Sequence, residues 1–219
     1  MKKLVLFGTG DIGQLAKYYF ELHTDYRVAA FTVDGAFVKE DSFEGSPVVA
    51  FEEILKQFPA PECDMHIALS YAQMNRLRKE KYEAAKAKGY ALPSYVSPKC
   101  SYLSQFQPGD NCFIFEDNTI QPFVKIGNNV ILWSGNHIGH HSVIEDHNFV
   151  SSHVVVSGHC HIESFCFLGV NSTLAHTVRI AEGTLLGAGA VISKDTEPNG
   201  VYVPPRTVKL EKTSDQFKL

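Results

Sequence analysis

Aliphatic residues recur at every sixth position through the C-terminal half of the chain: Ile114, Ile120, Ile126, Leu132, Ile138, Ile144, Val150, Val156, Ile162, Leu168, Leu174, Ile180, Leu186 and Ile192. A period of six suits neither a helix face nor a simple alternating strand, so it indicates a repeat architecture. Four residues after the aliphatic, the position is usually small or β-branched, as at Val124, Ser142, Val154, Cys160, Cys166, Ser172, Thr184 and Ala190. This pattern predicts a parallel β-helix of hexapeptide repeats. Each hexad builds one flat face and three hexads close a triangular coil. The aliphatic fills the prism, and the small residue lets the chain turn at the corner. Fourteen hexads make between four and five coils, each rising roughly 4.8 Å, the spacing of strands in a sheet.

The first 96 residues follow a different pattern. An apolar strand over Lys3 to Phe7 leads into Gly8-Thr9-Gly10-Asp11-Ile12-Gly13 and an amphipathic helix through about Leu22. Next come a strand from Arg27 to Val33, ending in Asp34-Gly35, and a short strand and helix within Val48 to Phe58. A strand from Asp64 to Ser70, a charged helix over about 72–88 and a strand near Tyr90 to Val96 complete the segment. Alternating strands and helices imply a parallel sheet with right-handed crossovers. The predicted organisation is an α/β domain over residues 1–96 and a β-helix with a C-terminal tail over 97–219.

The GxGxxG spacing, with Asp34 a little over 20 residues beyond Gly10, matches a dinucleotide-binding fingerprint. About 95 residues supply only one mononucleotide-binding half, however, and no second domain carries residues for hydride transfer. What remains is a glycine turn that admits a phosphate to the N-terminus of the first helix, where amides and helix dipole favour anions. Gly8, Gly10 and Asp11 would line that site, and Asp34 would accept hydrogen bonds from a ribose or base. Ser70, Tyr71 and Asn75, following the third main strand, would line the same sheet edge. The plainer alternative is a turn that merely joins strand to helix.

Charge and composition narrow the field. A net charge of −4 argues against a nucleic-acid or anionic-membrane surface, and no apolar run approaches the roughly 20 residues of a membrane span. The start resembles a signal peptide for six residues before Gly8, Gly10 and Asp11 interrupt it. The five cysteines form no CxxC pair, and reduced thiols in a cytoplasmic protein are expected.

Seven of the ten histidines fall between His137 and His161. His141, His147, His153 and His159 all follow their aliphatic by three, and His141 and His159, 18 residues apart, stack one coil above the other. His140 and His176 share a second column, with Gly158 between them. Three readings stay open: a general base, a metal site shared between subunits, and polar residues on a solvated or subunit-facing surface. A zinc site of the hexapeptide carbonic anhydrase type expects two ligands five residues apart, which no pair here provides. No metal is expected.

The whole chain resembles the bacterial nucleotide-sugar acetyltransferases that join a small Rossmann-like domain to a left-handed β-helix, including the bacillosamine-pathway, perosamine and dideoxyglucose N-acetyltransferases and the sialic acid O-acetyltransferases. The most specific stretch is Ile138-Gly139-His140-His141-Ser142-Val143-Ile144. The resemblance implies that His140 is the catalytic base, that Ser151 lies near the thioester, and that Gly158 offers its amide to the thioester carbonyl. Gly169, Gly187 and Gly189 align with segments along which coenzyme A lies. It also implies acetyl-CoA as co-substrate, a nucleotide-linked amino sugar as acceptor, and a homotrimer. Two departures stand out. His141 occupies the place of the family's acidic residue, leaving His141, Glu145 or Asp146 to orient the base. Val203-Pro204-Pro205-Arg206 replaces the usual Gly-x-Pro-Ala-Lys close. Sugar O-acetylation, a zinc carbonic anhydrase and a non-catalytic nucleotide-sugar binder are the alternatives.

Overall fold

The computed structural model describes residues 1–216. The N-terminal part is a five-stranded sheet flanked by helices. Its elements are β1 (Lys2–Phe7), α1 (Asp11–His23), β2 (Tyr26–Val33), β3 (Ser42–Phe43), β4 (Ser46–Ala50), α2 (Ile54–Gln57), β5 (Cys63–Ile67) and α3 (Arg76–Ala87). The strand order is β3-β4-β2-β1-β5, parallel except where β3 pairs antiparallel with β4. Crossover helices force parallel neighbours, and the interior strands are correspondingly apolar on both faces. Leu4 and Leu6 face one core cluster, and Val5 and Phe7 the other.

From Tyr95 onward the chain winds as a left-handed parallel β-helix with three flat faces. The first face stacks seven two-residue strands, from Tyr95–Val96 through Phe113–Ile114, Ile131–Leu132, Phe149–Val150, Phe167–Leu168 and Leu185–Leu186 to Val201–Tyr202. The second stacks six, including His137–Ile138 and Val155–Val156, and the third stacks four, Lys125–Ile126 to Arg179–Ile180. Each strand pairs in parallel with the strand 18 residues on, as Ile131 does with Phe149. The hexad aliphatics and the small residues form one continuous buried cluster inside the prism, Cys160 and Cys166 among them. The third residue after each aliphatic takes the left-handed backbone conformation, from Asn111 through Asn129, His141, His147, His153 and His159 to Thr177. Asn and His tolerate that conformation better than most residues, which accounts for the common phase of four of the histidines.

Two sequence expectations change. Tyr95–Val96 is not a sheet strand of the first domain; it pairs with Phe113–Ile114 and begins the β-helix. Residues 90–93 only extend along the edge of β5, where Met65 N–H donates to Ala91 O. The outward aromatics Trp133, Phe149, Phe165 and Phe167, expected to mark a subunit interface together with Phe123, mostly face this chain's own first domain. Phe149 and Phe165 are buried, and Trp133 and Phe167 pack against the cluster that includes Leu4, Leu6 and Phe20. Only Phe123 remains largely open, at 47 % exposure.

The two domains meet at a buried guanidinium. Arg78 of α3 is fully buried, and all of its hydrogen-bond partners are neutral. Nε donates to Asn129 Oδ1 (3.2 Å), Nη1 to Ser70 O and Asn75 Oδ1 (both 2.9 Å), and Nη2 to the carbonyls of Asn129 (3.1 Å) and Asn148 (3.0 Å). Asn75 donates in turn to Cys166 O at 3.1 Å. Burial lowers the Arg78 pKa to about 9. The network also spans Gln73, Met74 and Asn75, three successive non-glycine residues with left-handed φ, a conformation costing about 1–2 kcal/mol per residue.

His66 and His147 lie beside this cation, and burial lowers both to about 4, with the Arg78 charge adding to the effect. Both are neutral when folded and titrate near 6.5 when unfolded, so below that value the unfolded chain binds more protons. Stability should therefore be flat above pH 6.5, fall as pH drops towards 4, and level off below it. His66 alone accounts for up to about 3 kcal/mol. Urea unfolding at pH 7 and pH 5 measures this, and His66→Gln should flatten the dependence.

Candidate functional site

The glycine loop behaves as the sequence suggested, with a distinct role for each glycine. Gly8 has φ +122°, and a Cβ there would lie 2.6 Å from Ala68 O; a Cβ on Gly13 would overlap the Gly8 carbonyl. Both glycines let the turn pack on the sheet. A Cβ on Gly10 would meet nothing within 4 Å, so the space above it is open. The first-turn amides of α1 have no helical partners, and they face that space.

A cavity of about 750 Å³ opens at this turn. Gly8, Gly10, Asp11, Asp34 and Ser70 line it as expected, together with Tyr71, Gln73, Lys81 and Trp133. A neighbouring cavity of about 390 Å³ is lined by Thr9, Phe37, Lys39, Glu40 and Ser42. Asn75 is not part of the wall: its side chain is buried in the Arg78 network. Lys81 was not legible in the sequence, where it is one of several charges on α3. Its Nζ sits 2.8 Å from Asp34 Oδ2. Burial lowers the ammonium, but hydrogen bonds and charges from Asp34 and Glu80 outweigh it and leave the pKa raised. The wall of the cavity therefore carries a cation near the helix N-terminus, an arrangement suited to a phosphate or diphosphate.

The histidines gather at the corner between the second and third faces. His140 Nδ1 lies 3.0 Å from His141 Nδ1. The His141 and His159 rings stack at 4.7 Å, and His140 stands nearly perpendicular to both. Weak desolvation and the three neighbouring imidazoles lower the pKa of His159. Gly158 lies beneath His140: a Cβ on it would come within 2.8 Å of Cε1 and Nε2 of that ring. Gly158 is buried, yet its amide donates to no protein group among the described residues. Such an orphan donor beside an imidazole can receive a developing negative charge.

The carboxylates left open as partners of His140 lie at a different corner. Glu145 accepts from His161 Nε2 (2.8 Å) and Ser164 Oγ (3.1 Å), and Asp146 accepts from Asn128 N–H (2.7 Å). His141 is the neighbour that reaches the His140 ring. His147 is buried between Tyr82 and Phe165. Ser151, Gly169 and Gly187 stack 18 residues apart at the corner between the first and second faces, with Gly189 on the same turn as Gly187. Trp133 begins that column, so it adjoins the larger cavity. Within one chain, the column and the His140–Gly158 pair lie on opposite edges of the second face.

The glycine roles can be tested without knowing the ligand. Gly13→Ala should lower the melting temperature clearly, whereas Gly10→Ala should leave it within about 1 °C. Calorimetry of the two variants measures the contrast.

Residues 123–158 match the model of the bacterial transferase hexapeptide (six repeats). The acetyltransferase domain of PglB from Neisseria gonorrhoeae FA1090 superposes with a TM-score of 0.80 at 21% identity, over 93% of this chain and 97% of that one. A variant of perosamine N-acetyltransferase from Caulobacter crescentus, in complex with CoA and GDP-perosamine, gives 0.82 at 20% identity, over 96% and 98%. WeeI from Acinetobacter baumannii AYE gives 0.79 at 19%, over 93% and 97%. The chain thus carries a bacterial transferase hexapeptide repeat and shares, over nearly its whole length, the two-domain fold of these proteins.

Proposed function

We propose that the protein is an acetyl-CoA-dependent N-acetyltransferase acting on a nucleotide-linked amino sugar. The observation that carries this reading is His140 lying on Gly158, a buried glycine with a free amide, at an open corner of the prism. The glycine-loop cavity supplies a place for the nucleotide, and the same fold holds CoA and GDP-perosamine in the Caulobacter protein.

In this mechanism the diphosphate lies at the N-terminus of α1 near Lys81, and Asp34 accepts from ribose or base. The sugar amine attacks the thioester carbonyl and His140 takes its proton. The new C–N bond forms as the C–S bond breaks, and the thiolate of CoA leaves with a proton. The Gly158 amide steadies the tetrahedral oxyanion. His141 orients His140 through the Nδ1 contact, as a neutral imidazole rather than a carboxylate.

The separation of the two corners supports a site shared between copies. The nucleotide cavity adjoins one edge of the second face and His140 lies at the other. A neighbouring chain packed on that face would bring its histidine to this chain's cavity. Phe123, Val155 and Val191, exposed on or beside that face, suit such a contact, and a closed homotrimer satisfies it for every copy.

His140→Asn should keep the fold and lower turnover by roughly 10²- to 10⁴-fold, measured as CoA release with UDP-, dTDP- and GDP-linked amino sugars. Near wild-type turnover would remove His140 from the mechanism, and release only with hydroxyl acceptors would favour O-acetylation. Gly10→Val should raise KM for the nucleotide sugar while leaving that for acetyl-CoA nearly unchanged.

Light scattering should give three times the chain mass of 24.3 kDa. Dilution that dissociates the assembly should abolish turnover, and a fully active monomer would contradict the shared site.

A further inference from the structure

His140, His141 and His159 come from two successive coils and bring one ring nitrogen each to within 4.8 Å of the others. All three are exposed. His176, one coil further on, has its ring centre 5.4 Å from that of His159 and 6.3 Å from that of His140. Among the described residues, the contact between the two Nδ1 atoms is the one hydrogen bond these ring nitrogens make to protein. No carboxylate or carbonyl fixes their tautomers or orientation. Two imidazole nitrogens that face each other can share a proton, and they can equally share a metal ion.

We propose that this corner binds a divalent transition cation of the zinc or cobalt type, with His140, His141 and His159 as ligands and a fourth position open to His176 or water. The donor set is entirely imidazole nitrogen, which favours such borderline cations over magnesium or calcium, whose sites are built from oxygen. With nitrogen–metal bonds of about 2.0–2.1 Å, tetrahedral ligands stand roughly 3.3 Å apart. The Nδ1 pair is already at 3.0 Å. The widest separation must close by about 1.5 Å, which side-chain rotation of exposed rings can supply. His140 already presents its edge to the other two, and the parallel His141 and His159 rings need only tilt towards it.

An ion held here takes the lone pair of His140, so it inhibits the transferase rather than serving it. That consequence rests on the acetyltransferase reading; the binding itself does not. Chelator-treated full-length protein is titrated with cobalt(II), followed by visible absorption, and with zinc(II) by calorimetry, with magnesium as control. One ion per chain and no magnesium binding are expected. His159→Asn should bind at least tenfold more weakly and keep basal turnover. Zinc should suppress turnover of the wild type, EDTA should restore it, and His159→Asn should need at least tenfold more zinc. Absence of saturable cobalt or zinc binding, or equal affinity in His159→Asn, overturns the site; binding without inhibition overturns its consequence. If no amino sugar supports turnover, the acetyltransferase reading fails while the cobalt titration still decides the metal site.

Discussion

Every coil of the prism must hydrogen-bond to the coil beneath it, and that constraint organises the rest of the molecule. Residue i has residue i + 18 as its neighbour, as in the pairing of Ile131 with Phe149. Side chains at one phase therefore form columns, and a column can change character from coil to coil while the backbone stays the same. Close stacking also forbids a side chain where coils nearly touch. A Cβ on Gly139 would lie 2.6 Å from Gly158 N, so small residues there are required by the coil before any ligand is considered. The His140–Gly158 pair is such a column put to chemical use. The glycine leaves room for the ring, and the ring lies beside a free amide.

A triangular prism has three outer faces, and the fate of each decides where chemistry can happen. The N-terminal domain covers the first face, burying Phe149 and pressing on Trp133 and Phe167. Aromatic burial of this kind supplies much of the adhesion, and Arg78 supplies the registry. Its guanidinium reaches two carbonyls of the β-helix and the Ser70 carbonyl of the first domain at once. A buried cation without an anion is costly, so the five hydrogen bonds fix one docking geometry rather than add adhesion freely. The second face and the corner beyond it stay open, and the histidines collect at that corner.

At that corner an imidazole stands where a carboxylate would give a catalytic histidine a fixed charge partner. A neutral acceptor orients the base but stabilises its protonated form less than a carboxylate would. The same lack of a fixed anion leaves the three rings free to rotate about a shared centre. The departure in sequence thus changes both the electrostatics of the base and the ligands the corner can accept.

The hexad period by itself determined the β-helix, its inward aliphatics and the corner phase of the histidines, because a coil repeat is a local rule that each six residues restate. The glycine turn was equally legible: Gly8 and Gly13 meet backbone close by in the strand–turn–helix, and Asp34 follows from the end of β2. The first strand of the β-helix was not, because Tyr95–Val96 reads as an apolar strand and only its partner, Phe113–Ile114, shows which sheet it joins. The roles of Arg78, Asn75 and Lys81 were hidden for a related reason. Each lies in or beside a charged helix, and its partners are 47 to 91 residues away in sequence. The outward aromatics carried a true signal with an undetermined recipient. A prism face rich in Phe and Trp must be covered, but only the docking of the two domains decided that the cover is this chain's own sheet and helices.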